Sequence, residues 1–96
     1  MRILLIDDCR DPQSFAATHV ARTFDEGLRM LRDEGPWDEV VFDHDLGDYN
    51  PAHTGYDLLC WLEQNPEYVP KEISICTANS VGAAKMWPLA NKLLGR

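Results

Sequence analysis

Cations are scarce in this 96-residue chain, where 9 Lys and Arg stand against 16 Asp and Glu for a net charge of −7. That balance excludes any general affinity for nucleic acid or for an anionic membrane surface. A bound phosphate compound would need local cations, backbone amides or a metal to overcome the field. Cysteines are few: Cys9, Cys60 and Cys76 lie far apart, are odd in number and form no CxxC pair. The pattern argues against a disulfide framework and a structural zinc site, and a reducing compartment is expected. No apolar run approaches the length that crosses a bilayer. The opening "MRILLIDDCR" reads as a strand rather than a signal peptide, because acids interrupt it after Ile6 and no small-residue cleavage site follows. These absences predict a cytoplasmic protein without membrane contact. Repeats, low-complexity tracts and linkers are also lacking, so residues 1–96 are expected to form one domain.

What is present is a regular alternation of short apolar runs and amphipathic segments. Residues 3–6 and 39–42 are continuous apolar runs of strand length, residues 20–22 suit a short strand, and "EISICTA" suits a fourth. Between them lie helix patterns. Asp11 before Pro12 opens a short one. Thr23 and Glu26 have capping-box spacing ahead of Phe24, Leu28 and Leu31, with Gly35 and Pro36 as a stop. Thr54 and Asp57 repeat that spacing ahead of Leu58, Leu59 and Leu62, which Pro66 ends, and "NSVGAAKMWPLANKLL" is a fourth helix with a bend expected at Pro88. Strands apolar on both faces and alternating with four helices mean a parallel α/β sheet. Ligands of such sheets sit beyond the carboxyl ends of the strands.

Acids cluster at that edge. Asp7 and Asp8 follow the first strand, and Asp43, Asp45 and Asp48 follow "VVF". Carboxylates within about 4–6 Å of one another repel unless a cation intervenes. A hard divalent ion with oxygen ligands, Mg²⁺ or Mn²⁺, relieves that repulsion, and Asp7, Asp8 and Asp43 are its expected ligands. The last strand ends at Thr77, with Asn79 or Ser80 as helix cap. The outward amides of Val81 and Gly82 would make a phosphate site there, Gly82 permitting close approach. Arg10 suits phosphate oxygens or neutralisation of Asp7 or Asp8. His44 is a candidate acid–base group near neutral pH, although strand alternation would turn it away from Asp43 and Asp45. His19 and His53 read as surface or packing residues, and Trp37, Trp61 and Trp87 as core or boundary. The loop at 47–55 has the length and glycines of a lid.

"LLIDD", "VVFDHDLG" and "ISICTA" resemble the receiver domain of two-component response regulators. A closer likeness is to the cyclic-phosphate-processing receiver-like domain, whose pattern is similar to "DDCR", "DHDLG", "TGYDLL" and "CTANSVGAAKM" in this order. The resemblance implies a three-layer α/β/α, truncated receiver (flavodoxin-like) fold, with a four-stranded parallel sheet in the order 2-1-3-4. It also implies phosphoester chemistry on cyclic phosphate ends. Two departures stand out. Cys76 takes the place of that family's histidine and is expected to be an inert strand-end thiol. The sequence ends after the fourth helix, without the fifth strand and lysine of ordinary receivers, which disfavours aspartyl-phosphate signalling.

The leading expectation is a metal-dependent phosphoesterase acting on a phosphorylated small molecule or an RNA terminus. Asp7, Asp8 and Asp43 would hold the cation; Thr77, Asn79, Ser80 and Gly82 would cradle phosphate; Arg10 would offset its charge; and His44 or Asp45 would move a proton. The alternatives are a receiver-like module that binds a protein partner, and a phosphoacceptor with Asp43 as acceptor.

Overall fold

A computed structural model describes residues 1–47 and 50–96. Asp48 and part of the expected lid at 47–55 therefore lie outside the described residues. The strands are β1 (Ile3–Ile6), β2 (His19–Ala21), β3 (Glu39–Phe42) and β4 (Glu72–Ile75). The helices are α1 (Phe24–Asp33), α2 (Gly55–Gln64) and α3 (Ser80–Leu93). All strand pairs are parallel and the order is β2-β1-β3-β4, so the four-stranded parallel sheet has the expected order. Among the described residues no helix is long and apolar enough to cross a membrane.

Where four helices were expected there are three α-helices among the described residues, because the segment after Asp11 closes only a 3-10 turn, Pro12–Phe15. Asp11 caps it by accepting from the Gln13 amide, and Ala16 stops it in a left-handed conformation at φ 53°. Four residues leave too few hydrogen bonds to offset helix nucleation. A second 3-10 turn, Pro66–Tyr68, follows α2. The longer helices start where their capping residues stand: Thr23 accepts from the Glu26 amide, and Thr54 and Asp57 complete a reciprocal capping box. Pro88 lies within α3, which continues past it to Leu93.

Side-chain alternation divides the sheet into two faces. Leu4, Ile6, Val40 and Phe42 join Met30 and Leu31 of α1, Leu58, Leu59 and Leu62 of α2, and Met86 and Ala90 of α3 in one core. Ile3, Leu5 and Val41 are also buried but face the other way. Right-handed crossovers place the turn Pro12–Phe15 over that second face, so the layers are unequal, with three helices on one side and a single turn on the other. Trp37 is buried with its indole N–H donating to Met30 O at 2.9 Å, and Arg2 lies over its ring. His19 packs edge-on to Trp37, and His53 stacks on Phe24. Leu62 has no exposed surface, so Leu62→Ala is expected to cost about 2–5 kcal/mol in chemical denaturation, the range for truncating a packed leucine.

Candidate functional site

The strands end flush. Ile6 pairs with Ala21 on one side and Phe42 on the other, and Phe42 pairs with Ile75. One residue further, the ladder continues through the amides of Asp7 to Ala21 O, Asp43 to Ile6 O and Cys76 to Phe42 O, at 2.9–3.0 Å. The next row across the sheet is therefore Arg22, Asp7, Asp43, Cys76. Sheet register, and not sequence proximity, brings the two aspartates side by side.

Arg10 bridges that row. Its Nη1 donates to Asp7 Oδ2 at 2.9 Å, to Asp43 Oδ2 at 3.3 Å and to the Cys76 carbonyl at 3.4 Å. Asp7 is fully buried, and its Oδ1 also accepts from the amides of Cys9 and Arg10, each at 3.0 Å. Burial pushes the Asp7 pKa upward, but those two amides and the guanidinium outweigh it and hold the carboxyl below its ordinary range. Asp43 is buried with less compensation. Its Oδ1 accepts from the His44 amide at 2.8 Å. Burial raises its pKa and the Asp7 charge adds to that rise, against the opposing pull of the Thr77 hydroxyl, the His44 amide and Arg10. The pKa values of two neighbouring carboxylates are thus pushed in opposite directions around one cation.

The expected metal ligands fall into two groups. Asp7, Asp8 and Cys9 offer ligand atoms within 4.8 Å of one another, whereas Asp43 joins Asp7 through Arg10. Partial desolvation and the Asp8 and Asp7 charges push the Cys9 thiol up, keeping it protonated, so it does not suit a hard cation. The carboxylates do. Asp7, Asp8 and Asp43 set against Arg10 leave a surplus of negative charge at this edge, which fits a divalent ion with oxygen ligands.

The other expected residues form a second cluster beside the first. His44 turns its Nδ1 to Asp45 Oδ1 at 3.0 Å and to Asn79 Nδ2 at 3.3 Å, while Asn79 Nδ2 lies 3.5 Å from Asp45 Oδ2. Strand alternation does not govern His44, because β3 has ended at Phe42. Asn79, rather than Ser80, caps α3: its Oδ1 accepts from the Gly82 amide at 2.9 Å, and its own amide donates to Thr77 Oγ1 at 3.1 Å. Ser80 is the exposed first residue of the helix.

Gly82 was expected to permit the close approach of phosphate. Its amide is committed to Asn79, and a Cβ there would stand 2.5 Å from His44 Cγ and 2.6 Å from His44 Cδ2. The absent side chain makes room for the imidazole. Sequence reasoning gave no role to Arg22, whose Nη1 donates to Arg10 O at 2.7 Å and Asp7 O at 3.4 Å, tying down the turn that carries Arg10. The available signal was its place just after β2, level with Asp7.

Residues 2–92 match the family model described as the cyclic-phosphate processing receiver domain. The chain belongs to this family. As a cyclic-phosphate processing receiver, it sets its acid pair, its Asp-His-Asp segment and its β4 end along one sheet edge, as the geometry above shows. A solved structure in which a yeast Spc42 trimeric coiled coil is fused to another structure is similar in fold, with a TM-score of 0.69 at 17% identity. The match covers 93% of this chain and 63% of that one, and it bears on the fold alone. No curated protein matches the sequence.

Proposed function

We propose that this receiver-like domain hydrolyses cyclic phosphate ends of nucleotides or RNA, or related phosphoesters, with the help of Mg²⁺ or Mn²⁺. The observation that carries the reading is the Asp7–Arg10–Asp43 bridge, which lies at the edge where β3 also delivers His44 and β4 delivers Thr77. Membership of the cyclic-phosphate processing receiver family supports that choice of substrate class. Asp7, Asp8 and Asp43 would hold the cation, which when bound polarises a phosphoryl oxygen or activates water. Arg10 is placed to offset phosphate charge, and the Thr77 and Ser80 hydroxyls stand at the start of α3, where the helix dipole favours an anion. His44 moves the proton.

A second reading has one observation in its favour. Arg10 already neutralises the gap between Asp7 and Asp43, so the site is tolerable without a metal and suits a domain that works by contacting a protein partner. Incubation with a 2′,3′-cyclic nucleotide, followed by ³¹P NMR, separates the two. Hydrolysis is expected with Mg²⁺ or Mn²⁺, lost on chelation and lost in Asp43→Ala. No turnover, together with a melting temperature unmoved by either cation, would overturn the phosphoesterase reading and leave the partner-binding one. Labelling of Asp43 by acetyl phosphate without turnover would point to a phosphoacceptor.

A further inference from the structure

Asp45 and Asn79, expected to act on the proton and on the phosphate, each place one polar atom within reach of His44 Nδ1. Two partners compete for His44 Nδ1. Asp45 Oδ1 at 3.0 Å can only accept, whereas Asn79 Nδ2 at 3.3 Å can only donate. Hydrogen bonds to a carboxylate are shorter and roughly twice as strong as neutral ones, so the Asp45 bond decides. The Asn79 amide then has Asp45 Oδ2 at 3.5 Å as its acceptor. Asn79 cannot reverse its side chain without cost, because its Oδ1 holds the Gly82 amide at 2.9 Å as the helix cap. The other edge of the imidazole rests on Gly82, where any Cβ would strike Cγ and Cδ2. Among the described residues Nε2 has no hydrogen-bond partner, although the side chain is 16% exposed.

We propose that Asp45, Asn79 and Gly82 are positioning residues that lock His44 in the Nδ1–H tautomer and leave Nε2 as its working nitrogen. The carboxylate fixes which nitrogen carries the proton, the capped asparagine fixes the carboxylate, and the glycine fixes the plane of the ring. The chemical consequence rests on the phosphoesterase reading. There, Nε2 takes a proton from water as the water oxygen bonds to phosphorus. The bond from phosphorus to one ring oxygen breaks, and the imidazolium returns the proton to that oxygen, giving a phosphomonoester.

The tautomer is read directly by long-range ¹H–¹⁵N correlation of the imidazole in its neutral form, with no need for turnover. Wild type is expected to show the Nδ1–H pattern. Asp45→Asn, at an exposed site that does not threaten folding, should shift His44 towards Nε2–H. Asn79→Ser keeps a capping oxygen but removes the amide, and should broaden or split the His44 signals. Gly82→Ala should displace the ring resonances. With 2′,3′-cyclic nucleotide and Mg²⁺, His44→Ala should lower kcat by about 10²-fold or more, the usual share of a general base, and Asp45→Asn should lower kcat by roughly tenfold with little change in KM. An Nε2–H pattern in wild type, or a pattern unchanged in both Asp45→Asn and Asn79→Ser, overturns the proposal whatever the activity. The expected tautomers in a protein without turnover would leave the positioning intact and remove only the phosphoesterase reading.

Discussion

Gly55→Ala is expected to lower the melting temperature by about 12 °C or more, the largest loss of any glycine-to-alanine change in this chain. The added Cβ would fall on the carbonyl oxygen of Asp43, well inside van der Waals contact, and 2.9 Å from both the Asp43 carbonyl carbon and Met86 Cε. The first obstacle is backbone, so no rotamer change relieves it. That backbone is held in place, because the Gly55 amide donates to His44 O at 2.8 Å and Thr54 caps the same helix turn. Overpacking a buried position against an immobile neighbour costs roughly 3 kcal/mol or more, and each kcal/mol moves the midpoint of a domain this size by about 4–8 °C. Gly27→Ala is the control. Its Cβ would meet only side chains, Ile6 at 3.0 Å and Leu58 at 3.3 Å, which need give by no more than a few tenths of an ångström, and alanine gains helix propensity over glycine. Thermal unfolding of the two variants side by side checks the argument, and comparable midpoints would overturn it. Structure and site meet at this position. The turn that begins α2 is pressed against the strand end that carries Asp43 and His44, so a variant that survives folding should also lose the geometry of both.

The sheet was legible because both faces of β1 and β3 are buried, which forces unbroken apolar runs such as Ile3–Ile6 and leaves the strands' ends marked by acids. The caps at Asp11, Thr23 and Thr54 were legible because a cap bonds to amides two or three residues away, within the reach of a local pattern. Contacts set by sheet register were not. Arg10 and Asp43 are 33 residues apart in sequence, and nothing near either announces that the first will bridge the second to Asp7. Arg22 was placed inside β2 rather than just beyond it, a one-residue difference that hides its level with Asp7. Gly82 carried a local reading, a glycine at a helix start near a phosphate-like motif, yet the space it leaves is taken by an imidazole just beyond β3. His44 was judged by strand periodicity, which holds only while the backbone stays extended and fails once β3 ends at Phe42.

Asp7→Asn and Asp43→Asn are expected to change stability in opposite directions, although the two carboxylates share one guanidinium. Asp7 has no exposed surface and accepts three hydrogen bonds, two from amides and one from Arg10. An amide in its place keeps at most part of that set and turns a donor or a weaker acceptor toward Arg10 Nη1, at a cost of about 3 kcal/mol. Asp43 is the reverse case. Burial and the Asp7 charge raise its pKa despite Thr77, the His44 amide and Arg10, so its ionised form is what the folded state tolerates poorly. An asparagine retains an acceptor for the His44 amide and removes the buried negative charge. In chelator at neutral pH, Asp43→Asn should therefore melt a few degrees above wild type and Asp7→Asn well below it. The pH dependence follows from the same shifts. Asp7 is depressed, so its contribution is present above its unfolded pKa, near the ordinary carboxylate value of about 4, and is lost as pH falls through the lower folded value. Asp43 is raised, so its contribution favours the folded state below its unfolded pKa and is lost as pH rises through the higher folded value. Hence the advantage of Asp43→Asn over wild type should shrink on acidification, while the deficit of Asp7→Asn should also shrink, but only at lower pH. If both variants lose stability equally across the range, the two carboxylates do not differ in compensation and Arg10 does not favour one of them. A site that keeps a carboxylate which costs it stability is the arrangement expected where the charge is wanted for a ligand, and Mg²⁺ or Mn²⁺ should then raise the melting temperature of wild type but not of Asp43→Asn.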